Sequence, residues 1–189
     1  MRLAHLWGVT SMQPRALEVV DARDAGATDA DLLVELQAAH GAALYDFARH
    51  QGLTDDQAAD AVQEALLRLW RELRRGTFIE RPPAWMFRTV YHLAMAQHRW
   101  RRQLALLLPR VAPRHVGYAG PDASDRLTVW AAVDGLPARQ RQVLYLHYAA
   151  DLPFEEIAGV LGISASAART HASRGMTALR SELTQEVIS

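Results

Sequence analysis

Asp151-Leu-Pro-Phe-Glu-Glu-Ile-Ala-Gly-Val-Leu-Gly-Ile-Ser-Ala-Ser-Ala-Ala-Arg-Thr-His-Ala-Ser-Arg174 is the stretch on which the fold of this chain turns. It reads as two short helices around a tight turn. Gly162 stands where the first helix must end in the left-handed conformation, which glycine adopts at little cost. Ser164 is placed to cap the second helix. Ile157, Leu161 and Ile163 are spaced to pack the pair together, and Ala158 is small enough for a close crossing. The second helix then turns Ser166, Arg169, Thr170, Ser173 and Arg174 outward. The arginines can reach phosphates or guanine edges, and the hydroxyls are neutral donors near the bases. The expected unit is a helix-turn-helix, which lays its second helix in a DNA major groove. On this element alone, an ordinary helical hairpin with solvated arginines is the alternative.

Bulk properties narrow the class. At 189 residues the chain is long enough for one or two domains with modest cores. Half of the residues are hydrophobic, yet no apolar run approaches the ~18 residues of a membrane span. The start, Met1-Arg-Leu-Ala-His-Leu-Trp-Gly8, lacks the sustained apolar core and small-residue cleavage site of a secretory signal. There is no cysteine, which removes disulfides, thiol nucleophiles and thiolate metal sites. These features lead to the expectation of a cytoplasmic protein.

The formal net charge of zero conceals a segregation. Residues 18–64 hold eleven acids against Arg23 and Arg49, whereas residues 65–121 hold eleven arginines against Glu72 and Glu80. From Arg81 to Pro121 there is no acid at all. All 21 cationic side chains of the Lys/Arg class are arginine; genome composition explains that bias, although arginine also suits phosphate and base-edge contacts. The asymmetry implies an acidic face and a separate surface for a polyanion.

Where periodicity exists upstream, it is helical. Residues 1–27 show none and are expected to form a loosely ordered extension. Asp29 to His50 carries a stripe of Leu32, Leu33, Leu36, Ala39, Ala43, Leu44 and Phe47. Gly52 ends it, and Thr54 with Gln57 three residues on marks the next helix start, running to about Arg74. Pro82-Pro83 opens a third helix to about Leu107. Prolines and glycines punctuate residues 109–122, a linker. Ser124 can then cap a helix carrying Leu127, Val129, Trp130 and Val133, and Pro137 starts another ahead of the helix-turn-helix. No segment alternates like a strand. The expected fold is all-α: an extension over 1–27, a helical domain over 28–108, a flexible linker over 109–123, and a helix-turn-helix domain over 124–189.

Two upstream helices carry candidate surfaces. In Asp60-Ala-Val-Gln-Glu-Ala-Leu-Leu-Arg-Leu-Trp70, the residues Gln63, Glu64, Arg68 and Arg71 form a polar face opposite Leu66, Leu69 and Leu73, and Trp70 can anchor an interface. Taken alone, a solvated face and a core tryptophan explain the same pattern. The Ala84–Leu107 helix joins Trp85, Phe87, Tyr91 and Trp100 to Arg88, Arg99, Arg101 and Arg102. Its arginines neutralise phosphates, and exposed aromatics stack on unpaired bases at about 1–3 kcal/mol each. Trp85 and Phe87 are expected in the core.

Residues 132–183, beginning Ala-Val-Asp-Gly-Leu-Pro-Ala-Arg-Gln-Arg-Gln-Val-Leu-Tyr, resemble the C-terminal domain of bacterial RNA polymerase sigma factors of the sigma-70 family, group 4 (extracytoplasmic function, ECF) type. LuxR-type regulators share a similar Leu-Pro-x-Arg-Gln segment, so the N-terminal half decides. There, Asp60–Trp70 resembles the family's polymerase-binding helix, and Pro83-Ala-Trp-Met-Phe-Arg-Thr-Val-Tyr-His-Leu-Ala94 its promoter-melting helix. The resemblance spans about residues 29–107 and 125–184. It implies that Asp60, Gln63, Glu64, Arg68 and Trp70 dock on the clamp of the largest subunit of core RNA polymerase, with a further contact to its flap. It implies −10 DNA contacts by Arg88, Tyr91, His92, Arg99, Trp100, Arg101 and Arg102, and −35 DNA contacts by Ser166, Arg169, Thr170, His171, Ser173 and Arg174. An anti-sigma factor is implied as a further partner, and direct membrane insertion is not expected.

The chain departs from the family in two places. His92 and Ala96 replace a common Asn and Asp of the melting helix. In the recognition helix Ala167, Ala168 and Ala172 replace bulkier residues, which implies sparse base contacts and more readout through DNA shape. His171 stands where a basic residue is frequent. Two other functions stay open at this point: a free-standing LuxR-like regulator, and a sigma-like decoy that binds polymerase or an anti-sigma factor without melting DNA. No enzyme activity, cofactor or metal is expected, because the eight histidines show no metal spacing and no nucleophile constellation.

Overall fold

The computed structural model describes residues 28–107 and 132–188, with side-chain surroundings described up to residue 181. The expected extension over 1–27, the linker over 109–123 and the helix carrying Leu127, Val129 and Trp130 lie outside the described residues. All regular structure among the described residues is helical. The chain divides into two compact units, one built on the first three helices and the other holding α4, the start of α5 and α6.

In the first unit α1 runs Asp29–His50, α2 Asp55–Arg74 and α3 Pro82–Leu107. Each of the first two starts on a reciprocal capping box. Thr28 Oγ1 accepts from the Asp31 amide at 3.2 Å, while the Asp31 carboxylate accepts from the Thr28 amide at 2.8 Å. Those donors hold the Asp31 carboxyl below its ordinary pKa. Thr54 and Gln57 repeat the device at α2, satisfying amides that a helix start otherwise leaves open. Gly52 turns the chain between the two helices at a φ of +82°. The apolar stripes then meet. Leu36, Leu44 and Phe47 of α1, Ala58, Ala65 and Leu69 of α2, and Met86, Phe87 and Val90 of α3 are wholly buried. Phe47 and Phe87 pack edge to face with centroids 5.6 Å apart, the arrangement that ring quadrupoles favour.

Polar contacts tie α3 to the turn between α1 and α2. The His98 ring donates through Nε2 to the Gln51 carbonyl at 2.5 Å. Arg101 donates to the Gly52 carbonyl at 3.1 Å and to the Gln57 side chain. These carbonyls follow the end of α1, where no helical partner remains for them.

In the second unit a helical turn over residues 132–135 precedes α4, Ala138–Tyr148. Pro137 stands at its N-cap. The side chains of Val143, Leu144, Tyr145 and Leu146 are buried in succession. The helix-turn-helix follows, with α5 at Phe154–Leu161 and α6 at Ala165–Ile188. Gly162 has a φ of +66°, as the left-handed turn requires, and Ser164 Oγ accepts from the Ala167 amide at 3.1 Å. Asp151 in the turn before α5 also has a left-handed φ, +54°, which aspartate tolerates better than most side chains.

The small residues of α6 have a packing role. Ala168, Ala172 and Leu179 are buried at i, i+4 and i+11, and Gly175 lies between them. A Cβ on Gly175 would stand 2.8 Å from Leu144 Cδ1 and 3.3 Å from Gln140 Cβ, so α6 crosses α4 at glycine range. This corrects the expectation drawn from the alanines. Ala168 and Ala172 face the core, so their small size serves the packing of α6, and only Ala167, half-buried, remains near the surface.

Candidate functional site

Helical spacing collects the candidate residues onto exposed faces of three helices. On α3, Arg88, His92, Arg99 and Arg102 are exposed at i, i+4, i+11 and i+14, close to a 3.6-residue period and hence on one stripe. At a rise of 1.5 Å per residue the stripe is roughly 21 Å long. Trp100 flanks it and is 56% exposed. No acid lies on this helix to neutralise the guanidinium groups, so the stripe suits a strand of phosphates beside unpaired bases.

Two expected members of this face are placed elsewhere. Tyr91 is only 8% exposed. Its ring lies 6.0 Å from that of His92, so Tyr91 backs the surface and offers no open face to a base. Arg101 is half-buried and spends its donors on Gly52 and Gln57. It is therefore a clamp on the α1–α2 turn. Phe87 is in the core, as expected, while Trp85 is half-buried.

On α2 the residues Asp60, Gln63, Arg68 and Trp70 are exposed, and Glu64 is half-exposed. Arg68 Nε donates to Glu64 at 2.7 Å, which lowers the Glu64 carboxyl below its ordinary pKa. Trp70 is 36% exposed, and the Arg74 guanidinium lies 5.2 Å from its ring centroid. The structure adds a residue that the sequence did not single out. Leu67 is 46% exposed between Gln63 and Trp70. The stripe of Leu66, Leu69 and Leu73 leaves Leu67 on the outward side, but an isolated outward leucine carries no signal of an interface in the sequence. Leu67 and Trp70 make an apolar centre with charged neighbours, the usual anatomy of a docking surface.

On α6 the residues Ser166, Arg169, Thr170, Ser173 and Arg174 are exposed on one face, and Thr177 and Arg180 extend it. His171 is half-buried and points off this face. Thr170 Oγ1 donates to the Ser166 carbonyl at 2.9 Å, so outward it presents an acceptor. Arg169 is paired with Glu155 of α5 and sits beside the Phe154 ring. Arg174 and Arg180 complete the cationic edge.

The class these features define is an all-α protein with a helix-turn-helix in one unit and an arginine-faced helix in the other. Comparison with known proteins agrees. Residues 126–179 match the family described as Sigma-70, region 4. The chain is 33% identical over 141 residues to the ECF RNA polymerase sigma factor SigJ of Mycobacterium tuberculosis, covering 66% of this chain and 43% of that protein. It therefore spans less than half the length of SigJ. It is 24% identical over 158 residues to the RNA polymerase sigma factor SigV of Bacillus subtilis, covering 84% of this chain and 95% of that one. Among solved structures it is similar to CnrH in complex with the cytosolic domain of CnrY, at 25% identity and a TM-score of 0.58 over 88% of this chain and 96% of that one. It shares its fold with RpoE of Bartonella quintana, solved with the anti-sigma factor NepR, at 24% identity and a TM-score of 0.65 over 82% and 97%. The region 126–179 thus matches a sigma-70 domain family, and the chain as a whole is similar to sigma factors of the extracytoplasmic-function type.

Proposed function

We propose that the chain binds core RNA polymerase and directs promoter-specific initiation, with α2 docking on the polymerase clamp, α3 opening −10 DNA and α6 holding −35 DNA. The observation that carries this reading is the acid-free stripe of Arg88, His92, Arg99 and Arg102 beside the exposed Trp100. A free-standing helix-turn-helix regulator has no use for such a helix in a separate unit, whereas a factor that separates strands requires phosphate neutralisation and a stacking platform together.

Each surface alone is small. Attachment to one polymerase makes the second DNA contact effectively intramolecular and raises its local concentration. The protein carries no reacting group in this scheme; it positions the polymerase and supplies the surface on which DNA melts. An anti-sigma factor covering the α2 or DNA-binding faces is the further partner that the likeness to sigma factors solved with such partners supports.

The reading is tested by adding the purified chain to core polymerase on a promoter library and scoring run-off transcripts. Discrete transcripts that depend on the chain are expected. Polymerase binding without any transcript would instead identify a decoy, a reading kept open by His92 and Ala96, both exposed on α3. Failure to bind polymerase would point to a free regulator.

A further inference from the structure

Phe154 and Glu155 open α5, outside the recognition helix, yet both touch its first arginine. Arg169 Nη2 donates to the Glu155 carboxylate. The Arg169 guanidinium carbon lies 5.7 Å from the Phe154 ring centroid. Phe154 is itself fixed, because it stacks on His147 with centroids 4.3 Å and planes 27° apart. The His147 Nδ1–H donates to the Leu152 carbonyl at 3.0 Å, and Tyr148 closes on His147 edge to face at 4.8 Å. A chain of contacts thus runs from α4, through the turn and α5, to one side chain of α6.

An exposed ion pair contributes little to folding stability. Its consequence here is orientation. A free arginine samples many rotamers and loses that freedom when it binds. A guanidinium with a ring beside it and one nitrogen on a carboxylate has already given up much of that freedom, and its planar fork still holds donors for a second acceptor. The major-groove partner that matches a planar pair of donors is guanine, through O6 and N7.

We infer that Phe154 and Glu155 are positioning residues that hold Arg169 for bidentate recognition of a guanine in the −35 element. Base choice at that position then depends on two α5 side chains that do not touch the base. The inference rests on the reading of α6 as the −35 helix. The competing role for Glu155 is that of a counter-ion that merely keeps Arg169 from phosphates; removing it would then raise binding to every sequence alike.

The two roles separate in a selection experiment. Holoenzyme assembled from the full chain and core polymerase is incubated with promoter duplexes whose −35 box is randomised, and bound duplexes are sequenced. The native chain enriches guanine at one position, and Arg169→Ala reduces that enrichment roughly tenfold. Glu155→Ala and Phe154→Leu each reduce it by about two- to fivefold at that position and no other, Glu155→Gln restores part of it, and the Glu155→Ala, Arg169→Ala pair loses no more than Arg169→Ala alone. Melting temperature stays at the native level in Glu155→Ala, and polymerase binding does so in both α5 variants. Guanine enrichment unchanged in Glu155→Ala, or a uniform gain in binding to all sequences, overturns the inference alone. A native holoenzyme that forms but enriches no base in the box overturns the −35 reading together with it.

Discussion

Arginines that look alike in the sequence do different work. Arg99, Arg101 and Arg102 lie within four residues, yet Arg101 is half-buried against Gly52 and Gln57 while the other two face solvent. Arg101→Ala is therefore expected to lower the stability of the first unit by about 2 kcal/mol, the scale of lost charge-assisted hydrogen bonds, as measured by chemical denaturation. Arg99→Ala and Arg102→Ala should leave stability unchanged. Each should instead flatten the log–log salt dependence of promoter binding by about 0.7–0.9. Trp100→Ala should weaken binding to single-stranded −10 DNA by about 1–3 kcal/mol at unchanged melting temperature; an equal loss on duplex DNA would show that its ring does not stack on unpaired bases. The sequence could not sort these residues, because the partners of Arg101 lie 44 and 49 positions away. A contact between residues so far apart leaves no local periodicity. The burial of Tyr91 is hidden for a related reason: an aromatic among arginines suits a base-stacking face and a core edge equally.

At the scale of the element, local chemistry was more legible. Thr28, Thr54 and Ser164 each accept from the amide three residues on, and Gly52, Gly76 and Gly162 all adopt left-handed φ. Caps and turns act over a few residues, so the three upstream helices begin and end close to where their sequence signals stand. The purpose of the small residues in α6 was not legible. Whether an alanine clears a groove for DNA or for a neighbouring helix depends on helix rotation, and the crossing on α4 settles it. Gly175→Val should accordingly destabilise the second unit by about 1–3 kcal/mol through overpacking against Leu144 and Gln140, read as a lower denaturation midpoint. An unchanged midpoint would mean that α4 and α6 do not approach as closely as described.

For the whole molecule, the central consequence of the proposed function is that polymerase docking and DNA contact fall to different helices and can be lost separately. Leu67 and Trp70 are exposed on α2, whereas the arginine stripe belongs to α3. A charged residue at the first, Leu67→Asp, should weaken polymerase binding by tenfold or more, as expected of an interface centre, and leave −35 binding by the second unit unchanged. Arg99→Ala and Arg102→Ala should instead leave polymerase binding unchanged and weaken the contact with −10 DNA. The most direct measurement is permanganate reactivity of thymines around the −10 element when the full chain and core polymerase are bound to a promoter that the run-off screen identifies. Reactive, unpaired thymines that disappear in the Arg99→Ala, Arg102→Ala double variant, with polymerase binding intact, are the predicted result. A promoter-bound holoenzyme whose thymines stay paired, or whose melting is indifferent to both arginines, would contradict the account.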